Sequence, residues 1–420
     1  MENLEGLGVT ARTELKCRAC HAPGLFPALD LGCLPLANSL LSKDQLTEPE
    51  DRFALELYLC RECALVQIGE TVPPERLFRN YVYASSFSET MLSHAQELTR
   101  RLARERGLGA GSTVVEIASN DGYLLQYYKA LGIGVLGIEP AENIAQIAEE
   151  TRGIPTVVDF FGPELAARLA GAGQQADVIH AHNVFAHVPD PGSLIEGCRQ
   201  LLRPDGLVLI EAPYVRELVE KIEFDTIYHE HFSYFSLTAA DRIVRARNMI
   251  VSDVELVPIH GGSLRLFITH AGAAPQSPRV IDMLEDEAAC GLAAPEYFAD
   301  FASTVKNLQQ DLTGLLRTLK DQGHSIAAYG ASAKGSTLMN AFGIDGRLID
   351  FVVDRSPLKQ GKYTPGNHLP ILSPDALMEH RPDDVLLLTW NFADEILNQQ
   401  HAYREAGGRF IIPLPDLQVV

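Results

Sequence analysis

Tyr228-His229-Glu230-His231-Phe232-Ser233-Tyr234-Phe235 sets four ionisable side chains side by side and runs straight into aromatics. Two imidazoles flanking a carboxylate could ligate a metal ion, with the aromatic run as one wall of a substrate pocket. The helical HExxH spacing is absent, and a polar loop beside an aromatic core strand is the competing reading. A second set is sulfur. Cys17-Arg18-Ala19-Cys20 and Cys60-Arg61-Glu62-Cys63 are two CxxC pairs, while Cys33, Cys198 and Cys290 stand alone. Each pair places two sulfurs on a tight turn, so the two can close a tetrahedral cage around Zn2+; a redox pair is the alternative. Four thiolates leave no open coordination position, so Zn2+ at Cys17, Cys20, Cys60 and Cys63 would fold a small segment that lacks a core.

The third set lies on a strand, turn and helix. Val114 to Ala118 reads as a β-branched strand, Ser119-Asn120-Asp121-Gly122 as a turn, and Tyr123 to Ala130 as a helix. A second strand, Val135 to Ile138, ends in Glu139, about 20 residues beyond the turn, where nucleotide-binding α/β folds place an acid on the ribose hydroxyls. A dinucleotide needs a glycine-rich turn for its pyrophosphate. Here the turn has one glycine and is acidic, which repels phosphate and suits S-adenosylmethionine, a cofactor with a sulfonium and an ammonium. The predicted cofactor set is Glu116, Ala118, Ser119, Asn120, Asp121, Gly122, Tyr123, Leu124, Glu139, Pro140 and Asn183. A later strand, Ala176 to Ala181, runs into Asn183-Val184-Phe185-Ala186-His187, and a loop leaving the carboxyl end of a strand gives His187 a positional reason to face substrate.

These groups need scaffolds, and 420 residues exceed what one core usually organises. With 46% hydrophobic and 21% charged residues the composition is that of a folded globular protein. The expected class is α/β in three parts: a zinc-binding segment over 1–75, a Rossmann-like domain binding S-adenosylmethionine over 76–258, and a second Rossmann-like domain over 259–420. The last begins with Ile326 to Tyr329, a small-residue turn and a helix start at Ser332 to Lys334; its order Lys-Gly-Ser-Thr is not a Walker A loop. A net charge of -20 argues against nucleic acid or an anionic membrane as partner. The first residues lack a secretion signal and no apolar run reaches membrane-spanning length, so a cytoplasmic location is expected.

Taken together, the paired CxxC knuckles, VVEIASNDGYLL, GIEPAENIA, HVPDP, and YHEHFSYFS followed by HGGSLR resemble the sugar C-methyltransferase family over nearly the whole chain. The resemblance implies S-adenosylmethionine-dependent methylation of a ring carbon beside a ketone, on a nucleotide-linked deoxyketosugar such as a dTDP 4-ketosugar methylated at C-3. It implies His231 as the base that forms the enolate, Glu230 as its positioner, Tyr228 and His187 as helpers, and a substrate-contacting tyrosine at Tyr81 or Tyr83. Ser85, Ser86, Arg265, Ser332 and Lys334 are the expected substrate contacts, on a protein expected to be a monomer or weak homodimer. Two rivals remain: an NAD-dependent nucleotide-sugar oxidoreductase or epimerase, opposed by the missing GxGxxG, and a zinc-knuckle adaptor without catalysis, opposed by the intact ionisable cluster.

Overall fold

A computed structural model describes residues 15–78, 86, 89–259 and 261–420. Tyr81, Tyr83 and Ser85 lie outside the described residues, as does His260; Ser86 is half-buried ahead of the next helix.

The first sheet is antiparallel: β1 (Phe26–Pro35), β2 (Arg52–Leu59) and β3 (Val66–Ile68), closed at its β3 edge by the short strand Ser233–Tyr234 from far along the chain. The two knuckles meet beside it. Cys17 Sγ and Cys63 Sγ are 3.5 Å apart, Cys20 Sγ and Cys60 Sγ 3.6 Å, and all four sulfurs lie within 4.8 Å of one another. Zn–S bonds of about 2.3 Å in a tetrahedron require sulfurs about 3.8 Å apart, so the thiolates fit zinc. Among the described residues, the four cysteines are the group arranged to hold a metal ion, and the histidines of 228–235 are not part of it.

The helix Glu89–Glu105 leads into the second sheet, burying Met91, Ala95, Leu98 and Leu102 at helical spacing. That sheet contains β4 (Thr113–Ile117), β5 (Gly134–Ile138), β6 (Thr156–Val157), β7 (Ala176–His182) and β8 (Leu202–Pro213). After β9, the Ser233–Tyr234 strand of the first sheet, come β10 (Met249–Val257) and β11 (Ser263–His270). The order is β10-β11-β8-β7-β4-β5-β6, with β4 to β8 parallel and β11 antiparallel to both its neighbours. β4 is buried on both faces, as a central parallel strand must be. This sheet takes in residues 263–270, beyond the expected division at 258/259.

The third sheet has the order β14-β13-β12-β15-β16-β17, built from β12 (Ile326–Tyr329), β13 (Val352–Val353), β14 (Ile371–Leu372), β15 (Asp384–Leu387), β16 (Arg409–Ile412) and β17 (Gln418–Val419). All but β17 run parallel, and chain order reverses between β12 and β15, which opens a crevice beyond their carboxyl ends. The 27-residue helix Pro295–Asp321 packs against β1, and the helix Ala333–Phe342 packs against both β1 and the turn Phe224–Thr226. Trp390 Nε1 donates to buried Asp225 at 2.7 Å, and Phe224 stacks on Phe342, so the seam between the second and third sheets is packed as well as hydrogen-bonded. Among the described residues, no helix is long and apolar enough to cross a membrane.

Candidate active site

One cavity of about 2060 Å³ lies where the three parts meet, bordered by the tips of the second and third sheets and by the 228–231 segment.

At the second sheet, Asn120 N–H and Ala141 N–H each donate to one oxygen of Glu139, both at 2.9 Å. Burial pushes the Glu139 carboxyl up, and the two amides pull it partly back. Ala118, Asn120 and Asn183 all have φ near 50°, a left-handed backbone that costs a non-glycine residue roughly 1–2 kcal/mol. The strain is held by the fold and turns the loop outward at a ligand-facing edge. Ala118, Asn120, Tyr123, Glu139, Pro140 and Asn183 line the cavity. The remaining predicted residues do not. Glu116, Ser119 and Asp121 are buried behind the lining, and Leu124 belongs to a core with Leu125 and Tyr128. Glu116, Ser119 and Asp121 each keep a buried oxygen with no hydrogen-bond partner, and burial beside Asp121 and Glu139 pushes the Glu116 carboxyl far up. Arg152 pairs with Asp121 at 3.5 Å against this concentration of acids. An acid-rich floor with a ribose-type carboxylate at its rim fits a cationic nucleoside cofactor and is hostile to a pyrophosphate.

The Tyr228-His229-Glu230-His231 segment folds as a β-turn, His231 N–H donating to Tyr228 O at 2.9 Å. The turn breaks the alternation of an extended strand, so Tyr228, Glu230 and His231 all border the cavity. His229 points away, its Nε2–H donating to Phe53 O at 3.2 Å while its ring meets Phe53 edge-on. His231 Nδ1 lies 2.9 Å from Thr226 O; a carbonyl only accepts, so the proton is on Nδ1. Nε2 of the neutral ring then carries the lone pair, and Tyr228 Oη donates to it at 2.9 Å. The orienting bond expected from Glu230 thus comes from the Thr226 main chain. Glu230 instead accepts from Asn38 Nδ2 at 2.7 Å, and burial pushes its carboxyl up to about 7. His187 meets the His231 ring edge-on with centroids 4.7 Å apart, and burial pushes its imidazole down to about 4.

At the third sheet, Ala331 N–H and Ser356 N–H donate to the two carboxylate oxygens of Asp354, both at 2.8 Å. Asp354 thus occupies at β13 the place that Glu139 takes at β5. Three cations, Lys334, Arg355 and Lys359, line this end of the cavity, with Glu395 pairing Arg355 and Asp354 itself pairing Lys359, both at 3.4 Å. Lys334 Nζ lies 4.8 Å from the centre of the Trp390 ring and has no hydrogen-bond partner, though it is buried. Ser332 caps the helix Ala333–Phe342, its hydroxyl accepting from Gly335 N–H at 3.1 Å.

Arg265 is elsewhere. It lies in β11 with its guanidinium buried between Glu211 (2.6 Å) and Glu255 (2.8 Å), inside a network that also holds His94, His182 and Arg101. Strand β11 is flanked by β8 and β10, which supply those two acids as its neighbours, so Arg265 is a structural cation and not a substrate contact. His182, which sequence reasoning passed over, does line the cavity; its Nδ1 bonds Glu211 at 3.0 Å and its Nε2 bonds His180 at 2.8 Å. Asn38 and Thr226 were also missed, because nothing local in the sequence links them to the 228–231 turn.

Known proteins agree with this geometry. Residues 17–78 match a zinc binding domain, 87–251 a methyltransferase domain and 258–415 a C-methyltransferase C-terminal domain. The C-methyltransferase NovU of Streptomyces niveus is 36% identical over 406 residues, covering 96% of either chain. The ubiquinone biosynthesis O-methyltransferase of Acinetobacter baylyi is 30% identical over 142 residues, 32% of this chain and 52% of its own. Magnesium protoporphyrin IX methyltransferase from Synechocystis PCC 6803 is a distant structural likeness, with 12% identity and a TM-score of 0.36 over 47% of this chain and 93% of its own. The end-to-end relationship with NovU, together with family models over all three parts, is what decides the assignment: this chain belongs to the zinc-binding, S-adenosylmethionine-dependent C-methyltransferases.

Proposed function

We propose that the enzyme methylates the carbon beside the ketone, C-3, of a nucleotide-linked 4-keto-deoxysugar, with dTDP as the nucleotide carrier. The observation that carries this reading is that one cavity joins three chemically different ends: the acid-floored tip at Glu139, the neutral His231–Tyr228 pair, and the basic tip around Asp354 and Lys334. S-adenosylmethionine supplies an electrophilic methyl group when bound at the first. A nucleoside diphosphate suits the third, where Lys334 and the helix start at Ser332 offer positive charge and Trp390 an aromatic face. The sugar then spans the middle.

Carbon becomes a nucleophile once its α proton is removed and the electron pair moves onto the ketone oxygen. His231 Nε2 is the atom to take that proton, because Thr226 O holds the other ring nitrogen protonated. Tyr228, which donates to Nε2 in the resting enzyme, turns its O–H to the developing enolate oxygen. Glu230, pushed up to about 7, retains a proton on a substantial fraction of molecules at neutral pH and is a second donor to that oxygen. His187, pushed down to about 4, stays neutral, so the proton collected on His231 meets no adjacent imidazolium. One of Tyr81 and Tyr83, together with Ser85 and Ser86, completes the proposed set of substrate contacts.

His231→Asn tests the reading. The variant is expected to bind S-adenosylmethionine like the wild type, to lose methyl transfer by at least about a thousandfold, and to stop exchanging the sugar's α proton with deuterium in solvent. Exchange at the wild-type rate in the variant would remove His231 from the role of base.

A further inference from the structure

We infer that Arg18, the residue inside the first zinc knuckle, is a positioning residue that clips together the two loops carrying His187 and His231. Its guanidinium reaches out of the knuckle in three directions. Nη1 donates to Pro189 O at 3.2 Å, two residues past His187. Nη2 donates to Ile68 O at 2.9 Å, in the strand that pairs with the 233–234 segment. The guanidinium carbon sits 5.2 Å from the centre of the Phe232 ring, the residue after His231. Its own backbone is fixed as well, Arg18 N–H donating to Gln67 Oε1 at 3.0 Å, with Gln67 opposite Ser233 in the same ladder.

The two loops also touch through the main-chain bond from Phe232 N–H to Ala186 O at 2.7 Å, the edge-on contact of His187 with His231, and the stack of Phe185 on Phe235 just beyond. Arg18 adds a cross-brace whose root is the metal cage, so zinc binding transmits its rigidity to the histidine pair. A planar fork that donates to Pro189 O, Ile68 O and Thr71 Oγ1 while stacking on Phe232 is something lysine cannot reproduce. The second knuckle supplies the contrast: Arg61 holds the same place between its two cysteines, yet it is exposed and lies over Phe26, at 5.5 Å.

The test uses full-length zinc-loaded enzyme with Arg18→Met, Arg18→Lys and Arg61→Met. Amide hydrogen exchange without substrate is read over residues 185–191 and 226–234. Both Arg18 variants are expected to keep one zinc per chain and wild-type S-adenosylmethionine affinity, while exchange in those two segments rises about tenfold; Arg61→Met is expected to change neither. Unchanged protection in Arg18→Met, or loss of zinc from it, would overturn the proposal. The functional arm rests on the reaction proposed above: kcat for α-proton exchange falls about tenfold in Arg18→Met and Arg18→Lys while KM holds, as expected for a displaced base. Wild-type kcat in either variant, or a loss confined to KM, would also overturn it. If the wild type exchanges no sugar proton, the reaction assignment fails while the amide measurement still judges Arg18.

Discussion

At the tip of the methyltransferase sheet, Glu139 takes amide hydrogens from Asn120 and from Ala141, two residues beyond it; at the tip of the C-terminal sheet, Asp354 takes them from Ala331 and from Ser356, also two residues beyond it. The backbone device is the same: a carboxylate ending the second strand ties down the loop after the first. The charge around it is opposite. Glu139 sits with Glu116 and Asp121 and a single nearby arginine, whereas Asp354 sits with Lys334, Arg355 and Lys359. One architecture therefore gathers acids behind one tip of the cavity and cations at the other, as the proposed cationic cofactor and anionic nucleotide would each require. The fold supplies the crevice and the loop anchor, and a handful of side chains decide what each crevice takes.

Breaking the two carboxylates separately is the sharpest way to divide the two sites. Glu139→Ala removes charge-assisted hydrogen bonds and is expected to weaken S-adenosylmethionine binding by about 100-fold, leaving the affinity for dTDP unchanged. Asp354→Ala is expected to do the reverse, with a loss of about 30-fold for dTDP and none for the cofactor. Titration calorimetry of both ligands on both variants gives four numbers. If either variant weakened both ligands equally, the two tips would not be separate sites.

Legibility in the sequence followed the same divide between local and distant causes. The thiolate pairs and the strand-turn-helix-strand unit that ends in Glu139 were readable because each is a short-range pattern: two sulfurs per turn, and β-branched runs on either side of one crossover. Arg265 misled because a lone arginine after two glycines looks like an anion contact, while its acids, Glu211 and Glu255, come from neighbouring strands that spacing along the chain does not reveal. The partner of Glu230 was hidden for the same reason: its hydrogen-bond donor, Asn38, is 192 residues away in sequence. The likeness of Asp354 to Glu139 needed the two backbone amides to be placed.

The basic tip can be probed more finely at Lys334. Its ammonium is buried, carries no hydrogen bond, and leans on Trp390. Lys334→Met keeps the stem against the indole and removes the charge, so dTDP affinity is expected to fall about tenfold, and the difference from wild type to shrink as ionic strength rises. Cofactor affinity, set at the other tip, is expected to hold. A salt-independent loss would mean that packing, and not charge, was removed.

The smallest expected effect comes from Glu223, which faces Lys334 across the seam. Burial pushes its carboxyl up to about 7, opposed by the attraction of Lys334 and Lys221 and reinforced by Asp225 and Glu217. Below pH 7 the carboxyl is mainly protonated and Lys334 presents its full charge to an anion; above it Glu223 ionises and offsets part of that charge. Affinity for dTDP is therefore expected to fall by about threefold between pH 6 and pH 8 in the wild type, a change well under one pKa unit's worth of free energy. Glu223→Gln mimics the protonated form at every pH, so it is expected to match the wild type at pH 6 and to bind about threefold more tightly at pH 8. The same variant leaves the Glu139 tip untouched, so the pH dependence of S-adenosylmethionine binding is expected to be the same with and without it; a shift there instead would place Glu223 on the cofactor's side of the cavity.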